Sequence, residues 1–213
     1  MVVFPEYAKV GRIIAKENFF DGSTPEVKNL LKNEIARITW EYKLAPNTIN
    51  LPSKKWPEME VIKVDIKNGE APYKVLKRID TAIPYPILFI VKKGTAEKAV
   101  ISYKEIDQKS EDNAKVERYF ETQWNDPVIN DIKISGLDID SVFYSMIRTI
   151  AGQNLDIDSN SEASSIRADI DKTNTNDKIR KQIKQLEVKY SKEVSVAKRQ
   201  EIAREIHELK LRL

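Results

Sequence analysis

Cysteine is absent from this 213-residue chain, and histidine occurs once, at His207. The first absence excludes disulfides, a thiol nucleophile and the usual Cys-containing zinc sites, and it fits a reducing compartment. The second excludes a Ser/His/Asp apparatus inside the core and any metal site that needs two histidines. His207 itself lies off the apolar stripe of its segment and reads as a surface residue. Glycine is also scarce, and Gly11, Gly22, Gly69, Gly94, Gly136 and Gly152 are too scattered to form a P-loop or a dinucleotide fingerprint. No run approaches the roughly 18 consecutive apolar residues of a membrane helix. The start, Met1-Val2-Val3-Phe4-Pro5, lacks the basic lead and long apolar stretch of a signal peptide. The expectation is a soluble, cytoplasmic chain with no resident cofactor.

What the chain has is charge, unevenly placed. Residues 176–213 hold 11 Lys and Arg against 6 Asp and Glu, a balance of +5 that leaves −2 for the rest of a chain whose net charge is +3. That basic excess fits either the solvated faces of helices or contact with nucleic-acid phosphates or an acidic partner. Within it Ile179, Ile183, Leu186 and Tyr190 follow steps of four, three and four, and so do Ile202, Ile206, Leu209 and Leu213. The two sets are out of phase, so one straight seam cannot hold both without a break, which falls near Ser191 and Ser195. Two helices folded back on each other make each set the partner of the other, and a single long dimerising helix is the alternative. These eight residues are candidates for partner binding. Lys178, Arg180, Lys181, Lys184, Lys198 and Arg199 are the candidates for nucleic-acid contact.

Upstream, Tyr7, Val10, Ile13 and Ile14 predict a first helix over residues 5–18. Ser23-Thr24-Pro25-Glu26 is a helix start, followed by the stripe Val27, Leu30, Leu31, Ile35 and Ile38. The period then changes to two. Ile38, Trp40, Tyr42 and Leu44 share one strand face, and Ile62, Val64 and Ile66 share a face of a second strand. Val75, Leu76 and Ile79 mark a helix stopped by Pro84 and Pro86. The continuous apolar run Ile87-Leu88-Phe89-Ile90-Val91 reads as a central strand, with residues 99–103 as its hairpin partner and residues 116–124 as an edge strand. Asp138 opens a last helix carrying Val142, Phe143, Met146, Ile147 and Ile150. Residues 153–175, rich in Ser, Asn and Asp, read as linker. The predicted class is α+β: a mixed sheet of about five strands with flanking helices over residues 1–152, that linker, and a basic helical hairpin or coiled coil over residues 176–213.

Two constellations bear on chemistry. Glu41 on the first strand and Asp65 and Lys67 on the second face away from the apolar side. If the strands are neighbours, the two carboxylates and the lysine have the composition of a Mg²⁺-dependent nuclease of the acid-x-lysine type. Charges at alternating positions on a solvated strand face have the same composition and stabilise sheets by cross-strand pairing. Trp40, Tyr42, Trp56, Tyr73 and Tyr85 lie near lysines, as stacking platforms do. Core packing accounts for Trp40 and Tyr42, whereas Trp56, flanked by Lys54-Lys55 and Pro57, stands as a candidate contact residue.

Three segments and the basic end together resemble one family: residues 38–51 (ITWEYKLAPNTINL), residues 79–87 (IDTAIPYPI) and the helix start Leu137-Asp138-Ile139-Asp140. The family is bacterial and catalogued as domain of unknown function 4391; Ile14-Ala15-Lys16 departs from its Ile-Pro-Lys pattern. The resemblance carries no catalytic residues across. It implies a context beside helicase and DNA methyltransferase genes in restriction-like phage-defence clusters. The expected role is a non-catalytic accessory subunit that binds a larger helicase- or methyltransferase-type protein and possibly DNA, with no membrane partner. The alternatives are the nuclease and a structural protein self-associating through its end.

Overall fold

The computed structural model describes residues 4–69, 72–106, 114–157 and 165–213. The chain divides into two compact units, Met1–Gly152 and Gln153–Leu213. The first is built on one sheet whose six strands, among the described residues, stand in sequence order, β1-β2-β3-β4-β5-β6. In chain order the elements are β1 (Lys9–Ile14), α1 (Pro25–Asn33), β2 (Ile35–Leu44), α2 (Pro46–Ile49), β3 (Met59–Ile66), α3 (Tyr73–Ala82), β4 (Ile87–Lys93), β5 (Ala96–Ile106), β6 (Ala114–Glu121) and α4 (Ile139–Ala151). All neighbours are antiparallel except β3 and β4, which are parallel and joined through α3. The class is therefore α+β with a mixed sheet, one strand larger than expected.

The additional strand is β1. Residues 5–18, expected to be a helix, instead hold β1 between two short 3₁₀ turns, Glu6–Ala8 and Lys16–Phe19. β1 lies at the sheet edge against β2, with a register break between Lys9 and Arg12 where Gly11 takes a φ of +64°. Its side chains are mostly exposed, Ile13 by 63%. An edge strand with no fully buried residue, and only Ile14 packed against the core cluster, has little reason to alternate, and its apolar spacing imitated a helix.

One face of the sheet carries α1 and α3. Phe19, Leu31, Ile35, Ile38, Ile62, Val64, Leu76, Ile79, Phe89 and Val100 belong to a single buried cluster there. Burying side chains of this size stabilises by about 1.5–3 kcal/mol each before the entropy of ordering them is subtracted. Thr24 starts α1, its hydroxyl accepting from the Val27 amide at 3.4 Å with Pro25 in the first turn. On α4, Asp138 and Ser141 form a capping box: the Ser141 amide donates to Asp138 Oδ1 at 2.7 Å and the Asp138 amide to Ser141 Oγ at 3.0 Å. The loop enters this cap so closely that a Cβ on Gly136 would stand 2.6 Å from Ser141 Oγ. Asp140, next along, accepts the backbone amides of Lys54 and Lys55, each at 3.1 Å, and thereby fixes the loop after α2 against α4. Trp56 in that loop is buried, with its ring edge-on to Phe143 at 6.4 Å. The sequence expectation that Trp56 is a contact residue is corrected: the loop folds inward because its amides are tied to Asp140.

A charged group sits at the centre of the α3 side. Lys104 on β5 and Asp80 on α3 are both fully buried, with Nζ 2.7 Å from Asp80 Oδ1. The ammonium donates to the carbonyls of Asp80 (2.7 Å), Ile83 (2.8 Å) and Tyr85 (2.7 Å), and the Tyr119 hydroxyl donates to Asp80 Oδ2 at 2.7 Å. The three carbonyls account for the three ammonium protons, and Asp80 Oδ1 has no hydrogen bond of its own, so its contact is charge against charge. These carbonyls end α3 and run into Pro84 and Pro86, where the chain offers few backbone donors. Burial pushes the Lys104 ammonium below its ordinary range, and Asp80 opposes that shift. Removing one partner of such a pair strands a buried charge, so Lys104→Met should cost about 3–5 kcal/mol in urea unfolding. Asp80→Asn in the same chain should return part of the loss, because Asn still accepts from Tyr119. A Lys104→Met chain that unfolds at the wild-type midpoint contradicts this assignment.

Candidate functional site

The α1/α3 face of the sheet opens at one end into a cleft of about 240 Å³, lined by Ile14, Trp40, Glu58, Glu60, Ile62, Ile83 and Tyr85. A bulge in β2 creates it. Trp40 stands opposite Ile62 and Tyr42 opposite Val61, so Glu41 is an extra residue. Ile38 and Trp40 therefore share the α1/α3 face, while Tyr42 and Leu44 turn to the other. This corrects the expectation that all four lie on one face. The same one-residue shift brings Lys43 round to Glu58, at 2.5 Å.

The cleft floor is electrostatically unusual. Glu60 is only 4% exposed. Its Oε2 accepts from Trp40 Nε1 at 2.5 Å, and that indole N–H also points at the Tyr42 carbonyl at 3.1 Å. Burial, and then the hydrogen bond and charge of Glu58, push the Glu60 carboxyl up to about 8 against the pull of Trp40 and Lys43. At neutral pH Glu60 therefore keeps a proton that it shares with Glu58, whose own charge is met by Lys43. The Arg12 guanidinium lies 5.9 Å from the Trp40 ring centroid. The Glu60 amide donates to the Pro86 carbonyl at 2.9 Å, so the floor and the Ile83/Tyr85 wall are joined through the backbone.

Sequence reading did not single out Glu58, Glu60 or Lys104. The signal was present: continuing the Ile62, Val64, Ile66 alternation backwards puts Glu60 and Glu58 on the apolar face, and continuing from Val100 and Ser102 puts Lys104 there. An ionisable residue where the period calls for an apolar one is what marks both places.

The residues that were singled out on the sheet do not assemble. Glu41 lies on the opposite face, in a hollow of about 120 Å³ with Phe4, Tyr42, Val61, Lys63, Ile90, Lys92 and Glu97, and forms an ion pair with Lys63. Asp65 pairs in register with Arg37 and Lys92, roughly 10–13 Å along the strand from Glu41 at the usual rise. Lys67 lies just past β3, its Nζ donating to the Lys32 carbonyl at 3.1 Å. Lys92 stands opposite Glu97, so this face is a ladder of alternating charge. Among the described residues no group of three or more His, Asp or Glu could hold a metal ion.

The second unit holds α5 (Ile166–Lys192) and α6 (Val196–Lys210). The helix begins ten residues ahead of the expected boundary, inside the stretch read as linker; residues 158–164 of that stretch lie outside the described residues. Ser165 caps α5, accepting from the Ala168 amide at 3.2 Å. The Asp156 amide donates to Thr173 Oγ1 at 2.9 Å, and the Asp156 carboxylate accepts from Asn176 at 3.0 Å and from both Arg180 nitrogens, at 2.9 and 3.1 Å. Ile179, Ile183, Leu186 and Leu209 form a buried cluster with Ile202 and Ile206 against it. The two apolar sets thus face each other, as the folded-back reading requires. Tyr190 and Leu213, expected in that seam, are 37% and 47% exposed. Leu213 lies past the end of α6, and Arg199 lies 4.8 Å over the Tyr190 ring. Lys178, Lys181, Lys184, Lys198 and Arg199 are exposed, whereas Arg180 is held by Asp156 and Asp177. His207 is exposed.

Two of the segments that carried the family resemblance converge on the cleft, through Trp40 and through Ile83 and Tyr85, while the third ties the α2 loop to α4 through Asp140. A family model described as domain of unknown function (DUF4391) matches residues 3–213. The chain belongs to that family. No curated protein and no solved structure matches it. Among the described residues no helix of this DUF4391 chain is long and apolar enough to cross a membrane.

The Glu60 proton has a consequence for stability. The folded state holds it up to about pH 8, while an unfolded glutamate releases it near the ordinary 4.5. Between those values the native chain binds the extra proton, so stability falls as pH rises through the window and this contribution levels off above it. Glu60→Gln keeps an acceptor for Trp40 and a donor for Glu58 without a titratable proton. Urea midpoints at pH 5.5 and 8.5 should separate more for wild type than for Glu60→Gln, and equal separations contradict the assignment.

Proposed function

We propose that this chain is a non-catalytic accessory subunit of a bacterial phage-defence assembly of the restriction-modification kind, working in the cytoplasm. In this reading the sheet unit docks on a larger helicase- or methyltransferase-type enzyme, and the helical hairpin engages a partner subunit or the DNA backbone.

The observation that carries the reading is the surface of the hairpin. Its internal seam is closed by Ile179, Ile183, Leu186 and Leu209, yet around the α5–α6 junction Val188, Val194 and Val196 are 49%, 90% and 71% exposed. Lys189, Lys192, Lys198 and Arg199 flank them, and Glu193 folds back onto the Val194 and Ser195 amides at 3.0 and 2.9 Å. Exposed aliphatic groups within a basic rim suit an acidic protein surface better than open water. The genomic neighbourhood implied by the resemblance points the same way, as an association. The charge ladder of Glu41, Lys63, Asp65, Lys92 and Glu97 gives no observation that favours the nuclease alternative.

Co-purification from the source organism tests the reading. A tagged chain should bring down the helicase- or methyltransferase-type protein encoded beside it. The double variant Val194→Glu/Val196→Glu, whose exposed sites leave the hairpin seam intact, should lose that protein. Retention of the partner by the variant removes the hairpin from the interface. A dimer at two concentrations in light scattering, with no partner captured, instead supports self-association. DNA contact through Lys178, Lys181, Lys184 and Lys198 predicts a log–log salt slope of about −0.9 per phosphate neutralised.

A further inference from the structure

The cleft above Glu60 lies within the sheet unit and is not used by the reading proposed for the hairpin. Five of its seven lining residues are apolar or aromatic, Ile14, Trp40, Ile62, Ile83 and Tyr85, and the other two are the carboxyl pair Glu58 and Glu60. Glu58 is paired with Lys43 at 2.5 Å, whereas Glu60 makes no ion pair and its carboxyl meets only the Trp40 indole and Glu58 directly. Among the described residues no group of three or more His, Asp or Glu could hold a metal ion, and the two carboxyls here are flanked by the Lys43 ammonium. A carboxylate at the foot of aromatic and aliphatic walls suits an organic cation with an apolar stem. Of the two common types, guanidinium is planar, weakly hydrated, stacks on aromatic faces and pairs with carboxylates through a fork of N–H groups. The Trp40 ring already shows this affinity within the chain, since Arg12 lies 5.9 Å from its centroid. The indole is also held in place, because its N–H is fixed on Glu60 Oε2 at 2.5 Å.

We infer that this cleft binds an alkylguanidinium group, either a free small molecule or an arginine side chain, between Trp40 and Tyr85 with Glu60 as its counter-ion. Binding exchanges one cation for one proton. The guanidinium takes its place against the Glu60 carboxylate, and the proton that Glu60 shares with Glu58 leaves to solvent. The groups facing Glu60 are Glu58 from the residue just before β3, Lys43 and Trp40 from β2, and Tyr85 from the turn before β4; Arg12 of β1 faces Trp40. Because Glu60 ionises at about 8, only a minor fraction of the chain is competent at pH 7, and apparent affinity should rise about tenfold between pH 7 and pH 9.

Calorimetric titration of the full chain tests this with three probes: n-butylguanidinium, the peptide acetyl-Gly-Arg-Gly-amide, and neutral n-butylurea, which has nearly the same shape as the first. One or both cations should bind saturably, about tenfold tighter at pH 9 than at pH 7. At pH 7 they should release close to one proton per cation, read from buffers of different ionisation enthalpy, and butylurea should give no binding. At pH 7 the Trp40 indole resonance, assigned with Trp40→Phe, should shift on titration while those of Trp56 and Trp124 stay in place. Glu60→Gln should abolish both the proton release and the pH dependence, with the Trp56 and Trp124 resonances reporting that it remains folded. Binding of the peptide alone identifies an arginine side chain as the occupant, and binding of butylguanidinium alone identifies a free small molecule. The inference is overturned if neither cation binds, if butylurea binds as well as butylguanidinium, or if affinity is the same at both pH values and survives Glu60→Gln.

Discussion

One buried ammonium organises the side of the sheet on which this protein's unusual chemistry lies. Lys104 reaches across the α3 face and gives its protons to three carbonyls that the chain, interrupted by Pro84 and Pro86, could not otherwise satisfy. A buried pair such as Lys104–Asp80 is weak evidence for stability, because desolvation offsets most of the attraction. Its stronger effect is positional. An apolar residue at 104 would take away the one group that donates to the Asp80, Ile83 and Tyr85 carbonyls together, so the ammonium ties the end of α3 to the turn that follows it.

That arrangement sets the cleft. The turn carries Ile83 and Tyr85 into the wall, and the Pro86 carbonyl accepts the Glu60 amide. From the other side the β2 bulge brings Trp40 over Glu60 and Lys43 onto Glu58. Two independent departures from regular sheet structure, a bulge and a proline-bounded turn, thus meet at one acid held with its proton. Perturbed acids in clefts mark functional sites more often than chance, and both departures fall within segments that carry the family resemblance.

Much of the fold was legible in the sequence because most elements state their period plainly. Thr24-Pro25 started α1, the alternation through Ile66 delimited β3, Pro84 ended α3, and the two apolar sets of the hairpin, out of phase along one axis, required a fold-back. What was misread has physical causes. β1 is an edge strand with no buried face to enforce alternation. The start of α5 buries only two apolar residues, Ile166 and Ile170, and continues its buried face with the polar Asp169, Thr173 and Asn176, so it shows no continuous apolar stripe; Ser165, Asp156 and the Arg167–Asp171 pair at 2.9 Å add polar contacts along it. The β2 bulge leaves no local trace in composition, so Tyr42 and Lys43 were assigned to the wrong faces. The candidate site was hidden for a related reason. Attention to charges facing solvent leads to Glu41, Asp65 and Lys67, which form ordinary cross-strand pairs, whereas the informative charges are those on the apolar face.

The central claim is that Lys104 holds the Ile83–Pro86 turn, and with it the Glu60 floor, in position. Amide hydrogen exchange resolved by residue in Lys104→Met tests it most directly. The account predicts that the Glu60 amide, bonded to Pro86, loses far more protection than the mid-strand amides of Val64 and Val100, which should weaken only with global stability. Equal loss at all three, or a Glu60 amide protected as in the wild type, would contradict it.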